Sequence, residues 1–154
     1  MGRLLADALE KVAAWRKEKK TYERDCMSKA GFDRVRKGVD STGKALSTKV
    51  PCTFADFVRV VTHWHGHLLD GLRGLLAPPP GGGLPEYMEV RNALLVMARL
   101  GKGFPRLARH GVLLEKDVKA IAESDPREDL KTSAGRVLAL LQARGGAAWG
   151  FEGL

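Results

Sequence analysis

The chain is poor in cysteine. Cys26 and Cys52 are the only two in 154 residues, too few for a disulfide scaffold. It also lacks an uninterrupted apolar run near the roughly 18 residues that a membrane span needs. Asp7, Glu10 and Lys11 break up the N-terminal segment where a signal peptide would carry its apolar stretch. These absences predict an intracellular chain with no membrane partner. No segment alternates apolar and polar residues in the manner of a half-buried strand, so the expectation is an all-α protein of about five or six helices.

What is present supports a core. Hydrophobic residues make up 44% of the chain and charged residues 29%, the balance of an ordinary globular protein. The main stretch runs from Phe54 to Leu100. Phe54, Phe57, Val58, Val61, Trp64 and Leu68 recur in steps that place them on one helical face. Tyr87, Val90, Leu94, Met97 and Ala98 do the same in a second segment. Pro78-Pro79-Pro80-Gly81-Gly82-Gly83 separates the two, and no helix crosses it. The pattern predicts an αα-hairpin with Trp64 as a buried anchor between its helices.

Upstream, Leu5, Ala8, Leu9, Val12, Trp15, Tyr22 and Cys26 predict one long helix from about Leu4 to about Met27, with a break in its pattern at Lys19. Gly31 is the expected C-cap, with Phe32 folding back on the last turn. Residues 33–52 show no period and read as a mobile loop. Thr53 and Asp56 form a cap signal before Phe54. Pro85 is expected in the first turn of the second hairpin helix, with Glu86 and Glu89 near its positive end. Phe104-Pro105-Arg106-Leu107 is expected to open a short helix closing near Gly111. Leu114, Val118, Ile121 and Ala122 mark a helix ended by Pro126, and Leu130, Ala134, Val137, Leu138 and Leu141 the last, closed by Gly145-Gly146. The domain reading is a helical unit over 4–144, with a linker at 78–83 and a loose tail at 145–154 carrying Trp149 and Phe151.

Charge is uneven. Up to residue 50 there are 13 basic and 7 acidic side chains, 4 of each from there to Gly101, and 9 against 7 in the remainder, for a net +8. The N-terminal excess makes Arg16, Lys17, Lys20, Arg34, Arg36 and Lys37 the candidate nucleic-acid-facing residues. A solvated surface with i,i+4 pairs explains the same charges equally well.

Three patterns invite a chemical reading. Gly38 to Lys44 has the G-x-x-x-x-G-K spacing of a phosphate loop, but Ala45 stands where a Ser or Thr would hold magnesium and no strand is expected before it, so it reads as a loop. His63 and His67 share a helical face, with His65 between them, yet a zinc site needs further ligands and no H-E-x-x-H glutamate is present. Ordinary surface and half-buried histidines are expected, with no metal, no cofactor and no catalytic constellation. Trp15, Tyr22 and Trp64 read as core residues in preference to base-stacking platforms.

Several segments resemble the THO complex subunit 2 family. Trp15 with Tyr22-Glu23-Arg24-Asp25-Cys26 and then Gly31-Phe32 resembles its W-x6-Y-x-x-[ED]-C and G-F segment. Phe54-x-x-Phe57-Val58-Arg59-Val60-Val61-x-x-Trp64-His65 resembles F-x-x-F-[RV]-x-V-V-x-K-W-H. Glu86-Tyr87-Met88-x-Val90-Arg91-Asn92-Ala93-Leu94 resembles E-Y-x-x-I-R-N-x-[IL], and Phe104-Pro105 and Leu114-Glu115-x-x-Val118 follow in the same order. The resemblance covers most of this chain and a C-terminal part of the family's large scaffold protein. It implies an armadillo-like helical stack without catalytic residues, in a nuclear complex that packages nascent mRNA for export. The implied partners are other THO subunits and a DEAD-box RNA helicase, with mRNA contact weak for this piece. The family's basic tail lies beyond the matched region, and the Pro-Pro-Pro-Gly-Gly-Gly connector and His63 depart from the family pattern. Trp64, His65, Tyr87, Arg91 and Asn92 become the candidate partner or hairpin-stabilising residues. Arg91 and Asn92 are expected to act as polar links, Arg91 near the Tyr87 ring or on a carboxylate of an adjacent helix. The alternative, from the charge alone, is a small basic helical module that binds RNA or DNA directly.

Overall fold

The computed structural model describes residues 2–27 and 29–144. The expected tail, with Trp149, Phe151 and the closing Gly145-Gly146, lies outside them. In chain order the elements are α1 (Gly2–Lys17), α2 (Lys19–Asp25), β1 (Asp33–Val39), β2 (Ala45–Pro51), α3 (Phe54–Leu76), α4 (Tyr87–Leu100), a single 3-10 turn at Gly101–Gly103, α5 (Ala108–Ser124) and α6 (Glu128–Ala143). The chain divides into two compact units. One runs Lys11–Thr62; the other holds the residues up to Glu10 and those from His63 onward. The sequence expectation of one unit over 4–144 did not separate them. No helix among the described residues is long and apolar enough to cross a membrane.

In the Lys11–Thr62 unit, aromatic rings form the interior. Tyr22 is fully buried and stacks on Phe57 with ring centres 4.5 Å apart. Trp15 meets Phe32 and Phe57 edge-on, and Phe54 lies 5.8 Å from Tyr22. The single long helix expected here is two. Glu18 is extended, and the residues 17–20 around it are all exposed, so nothing apolar holds the helical register across the gap. Thr53 and Asp56 form the expected reciprocal cap of α3. The Asp56 N–H donates to Thr53 Oγ1 at 3.2 Å, and the Thr53 hydroxyl donates to Asp56 Oδ2 at 2.6 Å.

The all-helical expectation needs one correction. Residues 33–51, read as a loop, form an antiparallel hairpin with Arg34 opposite Val50 and Val39 opposite Ala45. Almost every residue of both strands is exposed, so neither face carries the apolar alternation that marks a strand in sequence. Its base is closed by the Cys52 N–H donating to the Phe32 carbonyl at 2.8 Å. Its turn is the stretch with phosphate-loop spacing. The Asp40 carboxylate accepts from the N–H groups of Thr42 and Lys44 at 2.8 and 2.9 Å, and Gly43 adopts φ +82°. Those residues are committed to turning the chain.

In the other unit, Leu69, Leu72 and Leu76 of α3 share one core with Val90, Leu94, Met97 and Leu100 of α4, Leu114, Val118 and Ile121 of α5, and Leu130, Val137 and Leu141 of α6. Helix α6 packs against both α4 and α5. Three boundaries differ from expectation. Pro85 precedes α4 instead of starting it, and Glu86 is the N-cap, its carboxylate accepting from the Glu89 N–H at 2.8 Å. Phe104–Leu107 is not helical, and α5 runs unbroken through Gly111, which sits on the buried face with His110, Leu114 and Val118. Gly103 is needed for contact. A Cβ there would lie 2.9 Å from the Leu9 Cβ and 3.3 Å from the Ala6 carbonyl oxygen.

Candidate functional site

Trp64 is not the anchor of the hairpin. It is 54% exposed, while His65 beside it is 1% exposed. The buried residues of α3 are Phe57, Val58, Val61, His65, Leu69, Leu72 and Leu76. At about 100° per residue, Trp64 lies roughly 90° off the centre of that arc. His65 takes the inward position, its ring 5.4 Å from that of Phe104. His110 approaches Phe104 from α5 at 6.3 Å. Burial pushes the His110 pKa down, with the neighbouring Arg109 adding to the effect and Asp70 opposing it, so this imidazole is held neutral.

The family-like segment on α4 sits at a polar junction. The Tyr87 hydroxyl donates to Asp129 Oδ2 at 2.6 Å, and the Arg127 guanidinium lies 5.8 Å from the Tyr87 ring centre. Arg127 also donates to the Pro85 carbonyl at 3.0 Å and to both oxygens of Asp125, at 2.8 Å from Nε and 2.6 Å from Nη2. The Asp125 carboxylate is buried, and its bonds to Arg127 hold its pKa below the usual carboxylate range against the opposing effect of burial. The bond to Asp129 raises the Tyr87 pKa. Arg127 thus ties the end of α5, the start of α6, the connector and α4 together.

The carboxylate pairing expected of Arg91 falls to Arg127. Arg91 and Asn92 are both exposed, and the Arg91 charge still reaches Tyr87, opposing the rise in its pKa. Arg91 forms no hydrogen bond or ion pair among the described residues, and the expected amide bond from Asn92 to a loop carbonyl is not made among them. Sequence reasoning missed Asp125, Arg127 and Asp129. The available signal was the run Asp125-Pro126-Arg127-Glu128-Asp129, a helix stop followed at once by a helix start.

The basic candidates separate by burial. Arg16 is only 8% exposed, with Nη2 3.4 Å from Thr62 Oγ1, and burial lowers its pKa. It falls on the same stripe of α1 as Ala6, Leu9 and Ala13, which draws its alkyl stem inward, so its assignment as a nucleic-acid contact is corrected. Arg34 pairs with Asp56 at 3.0 Å. Lys17, Lys20, Arg36 and Lys37 are exposed, the last two on β1 with Lys44 and Lys49 also on the hairpin. The structure brings none of these cations to Trp64, Tyr87, Arg91 or Asn92 within one compact unit.

Two further features bear on chemistry. A cavity of about 510 Å³ opens between the end of α3, the connector and α5, lined by Leu76, Pro78, Leu84 and Ile121, with the Arg73–Asp117 ion pair at its rim. His63 and His67 stand on the outer face of α3 with their Nε2 atoms 2.8 Å apart. No group of three or more His, Cys, Asp or Glu side chains among the described residues is placed to hold a metal ion. Both cysteines are free thiols, Cys26 buried and Cys52 partly so.

The profile of the Tho2 family, described as "Transcription factor/nuclear export subunit protein 2", matches residues 1–141. THO complex subunit 2 of Arabidopsis thaliana is 33% identical over 144 residues, covering 94% of this chain and 7% of that protein. The subunit of the same name is 28% identical in Rhinolophus ferrumequinum, over 93% of this chain and 9% of that protein, and 28% identical in Homo sapiens, over 84% and 8%. This chain therefore spans less than a tenth of the length of these relatives. No solved structure matches it. With the profile running from the start of α1 nearly to the end of α6, the chain belongs to the Tho2 family, that of THO complex subunit 2.

Proposed function

We propose that this chain is a non-enzymatic scaffold segment of the THO complex, acting in the nucleus in transcription-coupled mRNP assembly and mRNA export. The observation that carries this reading is the family match over residues 1–141, which takes in both strands and, among the described residues, every helix but the last two residues of α6. The site chemistry supports it. Arg127, Asp125, Tyr87 and Asp129 spend their hydrogen bonds on one another and on the Pro85 carbonyl, as structural groups do. Its partners are other THO subunits and, through them, a DEAD-box RNA helicase. The arrangement of α4, α5 and α6 suits further stacking in an armadillo-like array.

The exposed side chains on α4 are the docking candidates. Alanine at Arg91 and Asn92 together should leave the melting temperature unchanged and reduce recovery of THO subunits on the tagged chain from nuclear extract. Unchanged recovery of every THO subunit would remove this helix face from the interface. Failure of the wild-type chain to recover any of them would overturn the scaffold reading.

The hairpin favours a second reading, direct contact with nucleic acid. Arg36, Lys37, Lys44 and Lys49 project from an exposed ribbon and join no ion pair among the described residues. Arg36→Glu with Lys37→Glu should weaken RNA binding and flatten its dependence on salt. Equal binding by wild type and variant would discard this second reading.

A further inference from the structure

We propose that His63 and His67 form a two-imidazole site on the outer face of α3 for a divalent transition-metal ion of the nickel or copper type. The pair spans one helical turn, so the backbone holds both rings on one side. Their ring centres are 4.2 Å apart and their Nε2 atoms 2.8 Å apart, with the ring planes at 75°. Metal–imidazole bonds are about 2.0–2.1 Å long. Two such bonds at 90° place the nitrogens about 2.9 Å apart, and two at the tetrahedral angle about 3.3 Å apart. The 2.8 Å separation is that of a hydrogen bond between the rings, and it opens by at most about half an ångström to reach either arrangement. The order of affinities of first-row divalent ions favours copper over zinc at such a site.

In the metal-free pair one Nε2–H donates to the other Nε2. Binding uses both Nε2 lone pairs, so the donating ring moves its proton to Nδ1 by exchange with water. No proton is released overall, and no electron is transferred. Both rings are exposed, which leaves the remaining coordination positions to water or to a ligand from another molecule. The ion would staple one turn of α3 beside the exposed Trp64. This site is independent of the scaffold reading and goes beyond it.

The test uses the whole chain and Ni²⁺, since Cu²⁺ would also oxidise the free thiols. Calorimetric titration should show about one equivalent bound with micromolar affinity, and a rise in melting temperature with added Ni²⁺. His63→Ala and His67→Ala should each weaken binding by at least about tenfold while keeping the metal-free melting temperature, because both side chains are exposed. Ni²⁺ should quench tryptophan fluorescence in the wild type, and Trp64→Phe should remove most of that quenching. Equal affinity in the wild type and His67→Ala would overturn the proposal. So would binding that survives both histidine variants and disappears in Cys52→Ser, which would assign the ion to the thiol.

Discussion

Tyr87 and Asp129, 42 residues apart, meet at 2.6 Å where α4 and α6 begin. The bond is exposed, and the buried partner at this junction is Asp125, held by Arg127. Tyr87→Phe should therefore lower the melting temperature only slightly. Arg127→Met should lower it clearly more, since it leaves the Asp125 carboxylate buried without its counter-charge. Thermal melts of the two variants side by side check the ranking, and a larger loss in Tyr87→Phe would contradict it.

Trp64→Ala should cost less than about 1 kcal/mol, as exposed substitutions do. Phe57→Ala, which removes the ring stacked on Tyr22 in the buried cluster, should cost on the order of 3–5 kcal/mol. Denaturant unfolding of both proteins separates the outcomes.

Gly103→Ala should destabilise by roughly 1–3 kcal/mol, since the new methyl would meet the Leu9 side chain and the Ala6 carbonyl. Leu9→Ala in the same background should recover none of the loss, because alanine keeps the Cβ that makes the nearer contact. A fully stable Gly103→Ala protein would show that α1 and the 3-10 turn separate freely.

Stability should fall with acid in two steps. Above about pH 6.5 His110 is neutral in both the folded and unfolded chains. Below that the unfolded chain binds a proton first, because burial has lowered the folded pKa, and stability declines as pH falls toward that lowered value. Asp125 acts in the same direction lower down. Its depressed pKa contributes stability above the ordinary carboxylate value of about 4, lost as pH falls through the folded pKa. His110→Gln should flatten the first step and leave the second. Urea midpoints measured from pH 7.5 to pH 3 would show whether it does.

The helices were legible where the apolar spacing was regular or a cap marked the start. Thr53 and Asp56 marked the start of α3 correctly, and the spacing from Leu130 to Leu141 traced α6. The hairpin was invisible because strands with both faces in water carry no alternating pattern. Trp64 was misread because two registers fit the α3 sequence. One runs through Phe57, Val61, Trp64 and Leu68, the other through Val58, Val61, His65, Leu69 and Leu72. Residue type favours the first. From Val61 onward the buried side follows the second, seating His65 against Phe104, while Phe57 is buried as well.

The sequence by itself determined the family, the helical character and most helix limits, because those depend on contacts within a few residues of the chain. Tertiary structure alone decided which side of each helix is covered. It drew Arg16 inside and left Arg91 and Asn92 in water. It gave the junction on α4 to Arg127, and it joined Tyr87 to Asp129. These outcomes rest on groups about 40 residues or more apart in sequence, such as Arg127 and Pro85 or Arg16 and Thr62. No local pattern encodes such a meeting, since it exists only after the intervening helices have packed.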